Sequence, residues 1–357
     1  MGKTQLYDLF TEDKINLKIK RHPNENKNGY PVVLFHGLAS NKNCLDFGEE
    51  KTEEWKQYSL AANLKSFDVW IPELRGIRTY NKKQEKEIHT INRYNWSLNE
   101  YIEKDIPAII NFIQKTYLQE KGKRKPILWI GKSMGGMLAY AYGQTKKGKN
   151  QIKAAVTMGS PVSFEHRQRH IELLTLIAPR KISLSINISK FLQNHPKIRE
   201  TFKKTECNPK NVQPEIYEKH IKKGLDNTIS LKVLNHFSIF IRHKNFCRYP
   251  KNPWFYDIFG RMPLIKNIVS PYSYKQNLYK FKKPILIIAG GGDHLAPAED
   301  IQFVLKNIGS KDITYYEFSK RKGYNIDYGH TDLNLGIKAK EEIYSKINSW
   351  LKEKSKE

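Results

Sequence analysis

Cysteine is scarce and odd in number: Cys44, Cys207 and Cys247 lie scattered through 357 residues. That argues against a disulfide framework and against a zinc site, and makes a reducing cytoplasm the expected compartment. Long apolar runs are also lacking, because polar or charged residues interrupt each one before it could span a bilayer. The N-terminal stretch Met1–Leu6 has no apolar core of the kind a secretory leader needs. Leu6 also stands where a myristoylation signal wants Ser or Thr. Acid is the third shortage: 36 Asp and Glu face 62 Lys and Arg, a formal net charge of +26. Such a balance favours anionic partners. Yet the lysines are dispersed, and the clusters Lys121–Lys125 and Lys146–Lys149 accompany no recognised nucleic-acid module. No specific nucleic-acid partner is expected. Weak, salt-screened attachment at an anionic membrane surface is one reading of the charge; a solvated coat set by composition is the other.

What is present is a globular chain, 39% hydrophobic and 12% aromatic, long enough for a sizeable core. Lys14–Lys20 alternates like an exposed edge strand, and Pro23–Asn28 reads as a turn. Tyr30–Phe35 and Phe67–Ile71 read as strands, with helical spacing over Trp55–Leu64 between them. Ser97-Leu98-Asn99-Glu100 is a capping box for a helix with Ile102, Ile106, Ile109, Ile110 and Ile113 on one face. Strands follow at Pro126–Ile130 and Ala154–Met158. From Phe164 to about Pro271 the alternation breaks into helix-like pieces rich in His, Lys, Asn and aromatics, without a clear strand. It resumes with a strand at Lys283–Ala289, a helix near Ile301–Lys306 and a strand at Ile313–Phe318. A last amphipathic helix carries Ile343, Ile347, Trp350 and Leu351, with Lys352–Glu357 read as a frayed tail. The fold class is α/β: a mostly parallel sheet with helices on both faces and a mainly helical cap inserted into it. The divisions are 1–163 and 272–357 for the two parts of the core and 164–271 for the cap.

Gly131-Lys132-Ser133-Met134-Gly135 lies between the Pro126–Ile130 run and an apolar helix. This is a G-x-S-x-G elbow, whose small flanking residues let a serine stand exposed at a strand-to-helix turn. Asp293 follows the Lys283–Ala289 strand, after Gly290-Gly291-Gly292, and His330 lies in the loop before the last helix. The order Ser133, Asp293, His330, each placed after a predicted strand, is what selects them. His294 is a rival for the histidine; Asp327 and Asp332 are rivals for the acid but lie close to His330 in sequence. The strand Ala154–Met158 ends in Gly159-Ser160-Pro161, with no carboxylate. Backbone amides of Met134, at a helix start, and Leu38, after His36-Gly37, are the candidate oxyanion donors. This chemistry asks for no cofactor and no metal.

Together, Pro31–Leu38, Asp68–Trp70, Arg75-Gly76, Gly131–Gly136, Gly292-Asp293 and Gly329-His330 resemble the α/β-hydrolase superfamily. Phe67–Trp70 and Trp96 ahead of Asp105–Ala108 are similar to its acid-lipase and lipase-like esterase branch. The resemblance implies a Ser–His–Asp hydrolase of small-molecule or lipid carboxylic esters, the insertion forming a cap over the acyl pocket. Lys132 stands where that branch usually has His, and Glu73 where Asp often stands. Two alternatives use other chemistry: an acyltransferase with the same triad, and a non-catalytic binding homologue. The cap is expected to be separable, its deletion changing the ester profile while leaving Ser133 reactive. Aromatics such as Phe191, Phe237, Phe240, Trp254, Phe255 and Phe259 would fill the cap core or face the pocket.

Overall fold

A computed structural model describes residues 2–24, 29–76, 94–166, 185–260, 262 and 270–356. Among these residues, eight strands form one sheet in the order β1-β2-β4-β3-β5-β6-β9-β10. They are β1 (Gln5–Phe10), β2 (Asn16–His22), β3 (Pro31–Phe35), β4 (Asp68–Pro72), β5 (Ile127–Lys132), β6 (Ile152–Met158), β9 (Ile285–Gly290) and β10 (Ile313–Phe318). β1 and β2 join antiparallel, while β4 through β10 run parallel. β3, β4, β5 and β9 are buried throughout, as strands covered on both faces must be. Alternation along β5 divides the core: Ile127 and Trp129 pack on one face, Leu128 and Ile130 on the other.

The longer helices described outside the cap are α1 (Glu53–Tyr58), α2 (Ile106–Lys121), α3 (Met134–Gly143), α4 (Lys146–Gln151), α10 (Ala298–Asn307) and α11 (Ser345–Lys356). Ser97 opens the helical run leading into α2 with both halves of the capping box, and Ile102, Ile106, Ile109, Ile110 and Ile113 are all buried. Between β6 and β9 lie the described parts of the cap: α5 (Ile188–Asn194), α6 (Pro196–Glu206), α7 (Pro214–Lys219), α8 (Leu231–His243) and α9 (Pro253–Phe259).

Four local expectations change. Lys14–Lys20 overlaps β2, which alternates as read but is no edge, because β1 pairs along its whole length. The helix over Trp55–Leu64 stops at Tyr58: the Ser59 hydroxyl donates to Asp46 Oδ1 (2.9 Å) and accepts from the Ala62 amide (3.1 Å), drawing the chain out of helical geometry. The C-terminal segment remains helical to Lys356 because Lys354 Nζ pairs with Asp312 at 2.6 Å and Trp350 Nε1 donates to Thr314 at 3.1 Å. The cap also contains a small antiparallel pair, β7 (Ser185–Asn187) with β8 (Thr228–Ser230). Most of the Pro23–Asn28 turn, and the cap stretches 167–184 and 263–269, lie outside the described residues.

Among the described residues, the cap has no core of its own that is separate from the rest of the fold. α8 and its sequel supply Val233, Ile239, Phe240, Phe246 and Cys247 to the same cluster as Trp129 and Met137. A second cluster joins cap residues Leu192, Ile216 and Ile221 to Phe47, Tyr58 and Leu335.

Candidate active site

The elbow is built where β5 meets α3. Ser133 has φ 54° and ψ −120°, a conformation that L residues adopt only under constraint. Its amide donates to the Met158 carbonyl at 2.8 Å, tying the turn to β6. The close packing leaves no room for side chains: a Cβ on Gly135 would lie 2.2 Å from the Phe35 carbonyl oxygen. Strain at this one serine lifts its hydroxyl to the carboxyl end of the sheet, where open α/β sheets place their ligands.

Asp293 and His330 arrive there from the ends of β9 and β10. His330 Nδ1 stands 2.7 Å from Asp293 Oδ2, while Oδ1 accepts the Leu295 and Ala296 amides at 2.9 and 2.7 Å. The carboxylate is thereby aimed, and both residues are buried. Gly159, at φ +56° after β6, is the point of closest approach: a Cβ there would lie 3.1 Å from both Asp293 Oδ2 and the His330 ring. A side chain at that position would crowd the Asp293–His330 pair. His294 and Asp327 make no such contact with the dyad among the described residues.

Ser133 and His330 line one cavity of about 270 Å³, with Leu38 and Met137 in its wall. Gly37 lies against Ser133, a Cβ on it falling 3.8 Å from Ser133 Oγ. The loop is held by His36, whose Nε2 accepts the Leu74 amide (3.3 Å). Its Nδ1 therefore bears the proton and donates to the Gly37 carbonyl (2.9 Å). Burial pushes the His36 imidazole below its ordinary pKa, consistent with the neutral ring. Drawing the Gly37 carbonyl toward His36 turns the Leu38 N–H, on the opposite side of that peptide, away from it. The Met134 amide opens α3, where backbone donors and the helix dipole favour negative charge.

The sequence reading missed a set of cap residues at this site. The segment after α6 is laced to both sides of His330. The Thr331 amide donates to the Glu206 carbonyl (2.9 Å), and its hydroxyl donates to Glu206 Oε1 (2.6 Å). The Asn208 amide and Asn211 Nδ2 donate to Asp332 (3.1 and 3.0 Å), and Asn208 Nδ2 donates to the Asp327 carbonyl (3.0 Å). Asp332 is thus a tether for the cap, with burial and the nearby Asp293 charge lifting its carboxyl to about 6. Glu206 itself meets His220 Nε2 at 3.0 Å, and both line the cavity. Burial opposes its charge, but His220, Thr331 and Lys132 together hold its carboxyl down at about 2. Only an acid late in α6 and a histidine fourteen residues on were visible in the sequence, and that spacing names no contact.

An α/β hydrolase fold profile matches residues 30–180. Lipase member N of Mus musculus is 24% identical over 310 residues, covering 80% of this chain and 71% of its own length. Lipase member K of Homo sapiens is 26% identical over 368 residues, 96% of this chain and 86% of that one. Among solved structures, an esterase from Exiguobacterium antarcticum superposes with a TM-score of 0.59 at 16% identity, over 97% of this chain and 98% of that one. The chain therefore has the α/β-hydrolase fold, and its sequence is similar to those of lipases.

Proposed function

We propose that the protein hydrolyses carboxylic esters through Ser133, His330 and Asp293. It is a carboxylic ester hydrolase, as its similarity to lipases and esterases supports. His330 takes the proton of Ser133 Oγ as that oxygen attacks the ester carbonyl. Asp293, bonded to Nδ1, keeps the ring in the tautomer that leaves Nε2 free to accept and stabilises the imidazolium that forms. The oxyanion is held by the Leu38 and Met134 amides. Collapse of the tetrahedral adduct breaks the ester bond, and His330 returns its proton to the leaving alkoxide. Water, deprotonated by the same imidazole, then attacks the acyl-serine and releases the acid.

The observation that carries this reading is a serine strained onto an elbow, sharing one cavity with a histidine whose far nitrogen is fixed by a buried carboxylate. Substrate is a small-molecule or lipid ester that fits beneath the cap. Ser133→Ala is expected to abolish turnover of short p-nitrophenyl esters and labelling by a fluorophosphonate. Labelling that persists undiminished in that variant would remove Ser133 from the mechanism.

A further inference from the structure

Away from Ser133 and His330 the cavity wall is mostly apolar, and its charged groups gather at one corner. Leu38, Met137, Ile188, Phe202, Leu234 and Phe237 present hydrocarbon, whereas Lys132, Glu206 and His220 bring polar groups together. Lys132 ends β5 and adjoins the nucleophile, and its register places the side chain on the sheet face of Leu128, Ile130 and Cys44. It is only 3% exposed. Glu206 is the nearby anion, but it is already engaged by His220 and Thr331 through Oε1 and by Tyr217 (3.4 Å) at Oε2. Lys132 acts on it only through space. Among the described residues no acceptor lies within hydrogen-bond or ion-pair reach of the Lys132 ammonium. That ammonium is not among the sealed polar atoms left without a partner, and Lys132 is one of the residues that line the cavity.

A buried cation without a bonded partner is costly, and interior charges are ordinarily paired. Hydrocarbon esters give it nothing to bind. In a pocket of mostly apolar lining, a charge left without a bonded partner is the group that fixes orientation and selects the ligand. From this geometry we infer that the ester substrate carries an anionic oxygen group, a carboxylate or a phosphate, recognised in the cavity by Lys132. This rests on the ester-hydrolase reading and narrows it. An anion there replaces the water around Nζ and forms a charge-assisted hydrogen bond in a site of low dielectric. Glu206, on the cap side, sets the limit of the subsite, since its own charge repels an anion placed too deep. The same corner penalises a neutral chain long enough to reach it, because the ammonium is then covered and unsatisfied.

The test compares matched esters in which only the charge differs. The carboxylate arm pairs p-nitrophenyl hydrogen glutarate with methyl p-nitrophenyl glutarate; the phosphate arm pairs p-nitrophenyl 4-phosphonobutyrate with its dimethyl ester. The wild type is expected to favour the anionic member of at least one pair in kcat/KM by about tenfold or more. Lys132→Met should erase that preference and Lys132→Arg should keep its direction. The arm that responds names the anion. A preference equal in wild type and Lys132→Met to within about twofold in both arms overturns the proposal, as does a wild type that favours both neutral esters. Melting of the wild type with monomethyl glutarate and methyl phosphonate reads the subsite without turnover, and a rise with one anion but not with dimethyl glutarate is expected. No rise with either anion counts against the subsite. If the wild type cleaves none of the esters and takes no fluorophosphonate label, the ester reading fails instead, and the melting arm still decides whether Lys132 binds an anion.

Discussion

The cavity has two walls made by different means. On the sheet side, Ser133, Leu38, Asp293 and His330 are placed by strand ends, a strained turn and a loop histidine. Each of these is a local solution, encoded within a few residues. On the cap side, Glu206, Asn208 and Asn211 are placed by partners more than a hundred residues away in the chain. The first wall positions the atoms proposed to react; the second grips the loop that carries His330. A cap that holds Thr331 and Asp332, the two residues that follow His330, is a structural part of the proposed catalytic centre as well as a cover over it.

The largest effect is expected at the sheet-side wall. Asp293→Asn should lower kcat about 10⁴-fold with the fold intact, because the amide favours the wrong imidazole tautomer. Asp332→Asn, altering the rival acid that is bonded to the cap, should cost far less activity. Ester kinetics on both variants, with melting as a control, checks the contrast. Comparable losses in the two would mean that the acid has been assigned to the wrong residue.

Next comes the cap. The expectation that it can be removed while Ser133 stays reactive conflicts with the bonds from Glu206, Asn208 and Asn211 to the histidine loop. Removal of residues 164–271 would also strip Phe240 and Phe246 from the main hydrophobic cluster. Such a chain should lose fluorophosphonate labelling along with its ester profile. Glu206→Ala is the milder break: it leaves His220 and Thr331 without their acceptor, at a cost of about 3–5 kcal/mol for a buried pair broken on one side. Its kcat should fall more than its KM rises, since the defect lies in holding His330. Glu206→Gln, which still accepts from Thr331, should recover part of both losses.

How much of this could be read along the chain follows from the same division. The elbow, the strand ends and the Ser97 capping box are signalled by residues within one or two turns of each other, and all form as read. The edge position of β2 was misjudged because which strand pairs outside it is decided by the whole sheet, not by its own alternation. The helix after Thr52 was read too long because Ser59 is drawn to Asp46, a tertiary acceptor that periodicity cannot reveal. Glu206 and Lys132 looked like ordinary charges in a lysine-rich chain. Burial gives them their meaning, and burial depends on the cap closing over the sheet.

A pH series separates the walls more finely. Glu206 has its carboxyl depressed to about 2 in the folded chain, so its stabilising share is present above its ordinary pKa near 4.5 and is lost as pH falls toward about 2. The shift corresponds to a contribution on the order of 3 kcal/mol. Urea unfolding of wild type between those pH values should therefore weaken more steeply than that of Glu206→Gln, which has no such proton to take up. Parallel pH slopes in the two proteins would show that Glu206 is not held in its ionised form by the clasp.

The smallest effect concerns the outer faces of the two regions. In the cap, Trp254, Phe255 and Ile258 of α9 are exposed together with Met262, whereas on the sheet's edge Leu6 and Phe10 are the exposed apolar side chains of β1. With a formal net charge of +26 on the chain, we propose the cap patch as the better fit to an anionic lipid surface: its aromatics would enter the interface while lysines would meet the headgroups. Each lysine brought near such a surface is worth about 1 kcal/mol at most, and salt screens it. Dispersed lysines cannot all face one plane, so the attachment proposed here is weak and reversible. Co-sedimentation with anionic vesicles at low salt should fall severalfold in a Trp254→Ser, Ile258→Ser variant and stay unchanged in Leu6→Ser, Phe10→Ser, with neutral vesicles binding none of them. Equal loss in both variants would assign attachment to charge alone. Absence of wild-type binding to either vesicle at low salt would make the lysines a solvated coat and return the exposed aromatics of α9 to the cap's own packing.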